Sequence, residues 1–355
     1  MRILALMTEA FGGLGGIQKF NRDWLCALAS VDTVDEIDVL VRRQGNSTEV
    51  PAKVLQRCPA LGKAGFVTAA LRQAMRLAPG DVIICGHIHL ASLATVLAKV
   101  SGASTWLHMH GVEAWSAPSL ATGRSVKSMS LISIASRFTR GRLLNWSDVN
   151  SHHVKILPNV VDEKFAPGSI STQLKSRLGL STEKVILTVG RMATGEGYKG
   201  QDRIISALPR IISEVPDVMY LIAGEGDDQP RLQSMAEELL VESHVRFLGR
   251  IDDEDLVALY RLAHLFAMPS AGEGFGIVYL EAMASGCPAL GLNTGGSIDA
   301  LGSSPLGHIC NEESLPRVIV DLLKNPSEIA KCSRSTFSSQ TFSRHVSALL
   351  RRLPT

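Results

Sequence analysis

Short aliphatic and β-branched runs recur along the chain, each followed by a stretch with helical spacing of its apolar positions. They are RILALM (2–7), EIDVLV (36–41), DVIICG (81–86), STWLHM (104–109), LISIAS (131–136) and VKILPN (154–159), then KVILTVG (184–190), VMYLIAG (218–224), VRFLG (245–249), HLFAMPS (264–270) and CPALGL (287–292). Strands alternating with helix-length segments predict repeated βαβ units and parallel sheets, an α/β fold. Between the two series lies PNVVDEKFAPGSISTQLKSRLGLSTEK (158–184), whose Pro, Gly and Ser content marks a linker. The expected organisation is one doubly wound domain over 1–168, a second over 169–340, and a final helix over 341–355 that returns toward the first. Ligands of such open α/β sheets bind beyond the carboxyl ends of the strands, here in a cleft between the domains.

Bulk properties narrow this picture. The 355 residues, 45% hydrophobic and 20% charged, suit two globular domains with ample core. Six scattered cysteines without a CxxC pair read as reduced thiols and favour the cytoplasm. The apolar run Ile3–Met7 is too short for a signal-peptide core, and no run of spanning length follows, so neither secretion nor a membrane span is expected. Net charge is +2 but divides unevenly: residues 1–165 carry 18 Lys/Arg against 12 Asp/Glu (+6), and residues 166–355 carry 18 against 22 (−4). A basic first half facing an acidic partner or membrane surface is one reading, and ordinary solvated charge is the other. Nucleic acid is not expected as a partner.

Candidate chemistry lies at the ends of predicted strands. The first strand leads into TEAFGGLGGIQKF, where Gly15 and Gly16 precede a helix and would let backbone N–H groups approach a phosphate. G-x-G-x-x-G is not matched, and the second strand ends in Arg42 and Arg43 rather than the acidic residue a nicotinamide dinucleotide would need. In VILTVGRMATGEGYKGQD, Arg191 follows a strand and Lys199 precedes a helix, a planar fork and a point charge suited to a diphosphate. In EGFGIVYLEAMASG, Glu273 and Glu281 stand eight positions apart in a largely apolar stretch around the start of a helix near Gly276. Carboxylates taken out of water need partners, and sugar hydroxyls at one with ribose hydroxyls at the other would supply them.

Together these motifs resemble the family 4 glycosyltransferases, retaining enzymes of the GT-B fold, and the resemblance runs along nearly the whole chain. It rests on EGFGIVYLE, GR…YKG and GGLGG, with HGVEAW (110–115), SRFTRGRLLNW (136–146), LPNVVDEKF (157–165) and AGEGDDQPRL (223–232). It implies two Rossmann-like domains with parallel sheets facing across a cleft, the first binding acceptor and the second a nucleotide sugar. By the same resemblance Glu273 contacts the donor sugar beside the N–H groups of Phe275, Gly276 and Ile277. Glu281 takes the ribose, and Arg191 and Lys199 hold the diphosphate. Glu225 also belongs to the donor site, Gly15 and Gly16 reach the diphosphate, and His110 sits beside donor sugar and acceptor. Where many members read GGxE, this chain reads GGIQ and sets the neutral Gln18 in place of the acidic residue.

The implied reaction moves a hexosyl group from GDP-mannose or a UDP-sugar to a saccharide acceptor, lipid-linked, in exopolysaccharide or lipopolysaccharide synthesis. No cofactor and no metal are required, because Arg191 and Lys199 neutralise the leaving diphosphate. Segment 62–77, GKAGFVTAALRQAMRL, is amphipathic with Lys63, Arg72 and Arg76; it reads either as an ordinary core-packing helix or as a face lying peripherally on the inner face of the plasma membrane. Two rivals remain. His87/His89 and His108/His110, each pair spaced two apart as on one strand face, could serve a metal-dependent hydrolase, and the same fold could be a nucleotide-sugar-binding module without activity.

Overall fold

The computed structural model describes residues 1–12, 15–43, 49–325 and 337–354. The chain forms two compact units, Met1–Val160 with Phe337–Thr355, and Val161–Thr336. The first contains strands β1 (Arg2–Met7), β2 (Glu36–Val41), β3 (Val54–Arg57), β4 (Val82–Cys85), β5 (Ser104–Met109), β6 (Leu131–Ile134) and β7 (Val154–Ile156). Its sheet has the order β3-β2-β1-β4-β5-β6-β7 with parallel pairing throughout.

The two-residue period of a strand explains the layering. In β1, Ile3, Ala5 and Met7 point to a core shared with Trp24, Leu28 and Phe342, whereas Leu4 and Leu6 point to a second core with Phe66, Leu97 and Leu143. Helices therefore cover both faces, as near-continuous apolar strands require. One cover is the C-terminal helix Ser339–Leu350, whose Phe342, Val346, Leu349 and Leu350 pack on the helix Gly16–Ala29.

The second unit contains β8 (Lys184–Val189), β9 (Val218–Ala223), β10 (Val245–Gly249), β11 (Leu265–Ala267), β12 (Ala289–Leu292) and β13 (Gly307–Cys310) in the order β10-β9-β8-β11-β12-β13, again parallel. The units change over earlier than residue 168 because Val160 belongs to the first core while Phe165 packs edge-on against Tyr260 of the second, ring centroids 5.8 Å apart. Asp252 caps the helix Asp253–Leu262 through the Asp255 N–H, and the acidic first turn faces the positive end of the helix dipole. The five described cysteines are free; Cys332 lies outside the described residues. No described helix is long and apolar enough to cross a membrane.

Candidate functional site

In the second unit, the candidate residues gather at the carboxyl ends of β8 and β11. Beyond β8 the chain passes Gly190 and Arg191 into a 3-10 segment, Thr194–Lys199, and then the helix Gln201–Glu214. Gly200 makes that entry possible: its φ is +83°, and a Cβ there would lie 2.3 Å from the Pro269 carbonyl oxygen. The close approach seats the Lys199 turn against the loop leaving β11.

Three contacts between carboxylates and cations follow. Lys199 Nζ stands 3.4 Å from Glu273 Oε1 and 3.9 Å from Glu196 Oε2, and Arg191 donates to Glu196 Oε1. The two cations differ in setting, with 16% of the Lys199 side chain exposed against 76% for Arg191. Glu225 is exposed and joins this region through its backbone, its carbonyl accepting from Met192 N–H at 3.0 Å. Behind Glu273, the loop after β12 closes in, with Gly296 N–H donating to the Glu273 carbonyl at 2.7 Å.

The helix expected from residue 276 spans Ile277–Ala284 and is preceded by Gly276 at φ +82°. The three peptides assigned to the donor, at Phe275, Gly276 and Ile277, flank its start, where the first N–H groups of a helix have no intrahelical acceptor. Glu281, one turn further on, is only 7% exposed and accepts a hydrogen bond from Tyr260 Oη at 3.2 Å. Burial, with the Glu281 carboxylate adding to it, holds the Tyr260 phenol well above its usual pKa, so it stays a donor at working pH. Sequence reasoning missed Glu196 and Tyr260. Glu196 was visible as the acid inside TGEGYKG, whereas Tyr260 lies on another helix and carried no signal.

In the first unit, Gly15 has φ +116° at the start of the helix Gly16–Ala29, and no atom of the described residues lies within 4 Å of the position of a Cβ on Gly16. Gln18 Nε2 donates to Glu9 Oε2 at 2.9 Å, which explains the departure from GGxE: an acid at 18 would face the Glu9 carboxylate. His110 follows β5 and its Nε2 lies 3.0 Å from the Gly86 carbonyl, while Glu113 accepts from the peptide N–H groups of His110 and Gly111. Glu113 thus holds the His110 turn and was not foreseen.

The histidine pairs do not have the arrangement expected of a metal site. His87 and His89 do not share a strand face: β4 ends at Cys85, Ile88–Leu90 is a 3-10 turn, and His87 Nδ1 accepts from His89 N–H at 3.3 Å. His108 is a core residue, stacked on Phe20 at 3.9 Å and bonded through Nδ1 to Ser133 Oγ at 2.9 Å. Among the described residues no group of three or more His, Cys, Asp or Glu could hold a metal ion.

Burial lowers the pKa of His87, His108 and His110, with Glu113 opposing the shift at His87 and His110. The unfolded chain takes up these protons near pH 6.5 while the folded unit resists until lower pH, so the unfolded state binds more protons there. Stability is complete above pH 6.5 and falls as the solution is acidified. We expect the melting temperature of the first unit to drop between pH 7.5 and 5.5, and less in His108→Gln; a flat profile in calorimetry would refute this.

The two parallel-sheet α/β units make the fold GT-B. Solved structures show the same fold along 99% of this chain: Anabaena HepE in complex with UDP and glucose (TM-score 0.79, 20% identity, 99% of that chain) and sucrose-phosphate synthase from Thermosynechococcus elongatus (TM-score 0.79, 18% identity, 99% of that chain). The family model Glycosyl transferases group 1 matches residues 171–338, nearly all of the second unit and just under half of the chain. A GDP-mannose-dependent alpha-(1-6)-phosphatidylinositol monomannoside mannosyltransferase of Mycolicibacterium smegmatis is 33% identical over 211 residues. That match takes in 56% of this chain and 54% of the relative, so the chain spans about half the length of the curated relative.

Proposed function

We propose that the chain is a retaining hexosyltransferase that uses a nucleoside-diphosphate sugar, GDP-mannose ahead of UDP-sugars, and a lipid-linked saccharide acceptor. The observation that carries the reading is the convergence of Lys199, Glu273, Glu196 and Arg191 in the second unit, with the helix start at Gly276 close by in sequence to Glu273. The preference for GDP-mannose rests on the named relative.

In this reading the sugar becomes oxocarbenium-like as negative charge builds on the leaving diphosphate. Lys199, Arg191 and the helix N–H groups oppose that charge, the largest contribution expected in such a site, and no metal is needed for it. A leaving phosphate oxygen takes the acceptor proton on the same face, which gives retention without a separate side-chain base. Glu273 holds sugar hydroxyls and Glu281 the ribose. On the first unit, His110 and the Gly15–Gly16 turn are assigned to acceptor and phosphate by family pattern. Incubation with GDP-mannose, UDP-glucose and UDP-galactose plus a lipid-extract acceptor, followed by NMR of the anomeric linkage, tests the proposal. Transfer with retention is expected; an inverted linkage, or no nucleotide release from any donor, would overturn it.

Glu196 occupies the two cations that the diphosphate would use. Glu196→Gln is expected to tighten GDP or UDP binding by about threefold to tenfold at low salt, since a competing carboxylate is removed from partly screened charges. Isothermal titration showing weaker binding would mean that Glu196 organises the cations instead.

A peripheral position on the cytoplasmic leaflet is also part of the proposal. The helix Gly62–Ala74 buries Phe66, Ala70 and Ala74, yet leaves Leu61 (88%), Val67, Leu71 and Met75 (69%) exposed near Lys63, Arg72 and Arg76. Such a surface suits anionic lipid. Co-sedimentation with phosphatidylglycerol vesicles is expected to fall several-fold in Leu71→Asp/Met75→Asp; no binding by the wild type would remove the idea.

A further inference from the structure

Resting on the donor-site reading above, we propose that Tyr260 is a positioning residue: its hydroxyl locks the Glu281 carboxylate in the plane that accepts both hydroxyls of a ribose. Two vicinal hydroxyls can each donate to one oxygen of a single carboxylate only while that carboxylate stays fixed in rotation. Glu281 lies in the helix Ile277–Ala284 and, as an acceptor-only group when ionised, has no donor of its own with which to fix itself. Tyr260 Oη donates to its Oε2 at 3.2 Å.

What makes the tyrosine a rigid donor is its surroundings. It is fully buried, and its ring meets Phe165 edge-on at 5.8 Å and Phe266 at 5.7 Å. Phe266 in turn meets Tyr279 at 5.5 Å, within the same helix that carries Glu281. This run of rings ties the helix Asp253–Leu262, strand β11 and the Glu281 helix into one unit, so the hydroxyl has little room to follow a wandering carboxylate. A phenol kept protonated by burial can only donate here, and donation favours the ionised carboxylate that ribose hydroxyls need.

The test compares GDP and UDP with their 2′,3′-dideoxy analogues. Wild-type protein should bind the ribonucleotide of at least one base more tightly than its dideoxy form. Tyr260→Phe, which removes one oxygen, should lose about tenfold in affinity for that ribonucleotide, the scale of one hydrogen bond to a charged group, while its dideoxy affinity stays within about twofold. A purely structural role would weaken both probes alike, and that result, or unchanged discrimination, overturns the inference alone. Failure of the wild type to bind any of the four probes overturns the donor-site reading and this inference with it. Should Tyr260→Phe not fold, Glu281→Gln is compared with Tyr260→Phe/Glu281→Gln, in which no buried charge is left behind. Equal discrimination in the two supports the proposal, and a further loss on adding Tyr260→Phe refutes it.

Discussion

Replacing Lys199 with alanine is expected to lower kcat/KM for the sugar donor by about 10²- to 10³-fold, or about 2.7–4 kcal/mol of transition-state stabilisation. The size follows from where the ammonium stands. Its side chain is 16% exposed, within 3.4 Å of the Glu273 carboxylate and 3.9 Å of Glu196, and its stem lies along Gly190. A charge so shielded from water acts through a lower effective dielectric than one on the surface. Arg191 projects a side chain 76% exposed and spends its guanidinium on Glu196. Arg191→Ala is therefore expected to lose turnover too, but by about tenfold, because solvent and salt screen its field. Steady-state and single-turnover rates with the preferred donor decide the matter: a Lys199→Ala enzyme within threefold of wild type, or an Arg191 effect larger than that of Lys199, would refute this ordering of roles.

Much of the fold could be read from hydrophobic runs because most strands lie inside their sheets. The eleven runs correspond to β1, β2 and β4 through β12, and in β1, β2, β5 and β10 the bounds agree to the residue. The two strands that escaped are β3 and β13, each at a sheet edge; the other two edge strands, β7 and β10, were legible from VKI and VRFL. An edge strand is covered on fewer sides and need not be apolar: Val54–Arg57 reads VLQR with one buried residue, and Gly307–Cys310 reads GHIC, also with one. The site divides the same way. Motif residues local in sequence, such as Arg191 with Lys199 and Gly276 with Glu281, could be placed on strand ends and a helix start. What sequence could not supply were partners from elsewhere in the chain: Tyr260 for Glu281, and Gly296 behind Glu273. The histidines show the converse error. A spacing of two suggests one strand face, but β4 stops at Cys85, where the backbone turns into a 3-10 segment, and His108 fills core volume against Phe20.

Gly276→Ala is expected to destabilise the second unit by about 2–5 kcal/mol and to abolish nucleoside-diphosphate binding. Two costs combine. At φ +82°, ψ 71° an alanine pays roughly 1–2 kcal/mol for left-handed backbone. Its Cβ would also lie 2.5 Å from Tyr279 Cδ2, well inside the ordinary 3.5–4.0 Å contact between carbons, and overpacking of this sort costs about 1–3 kcal/mol. The ring cannot move aside cheaply, since Tyr279 is fully buried, meets Phe266 at 5.5 Å and donates its hydroxyl to the Met268 carbonyl. Relief must come from the backbone at residues 275–277, which moves the N–H groups assigned to the diphosphate. Lost affinity should therefore exceed lost stability: in urea titrations followed by nucleotide binding at low denaturant, the folded variant should still fail to bind GDP or UDP. A variant that unfolds earlier but binds normally when folded would show that the helix start contributes packing alone, and the phosphate would have to be sought around Lys199 and Arg191 without it.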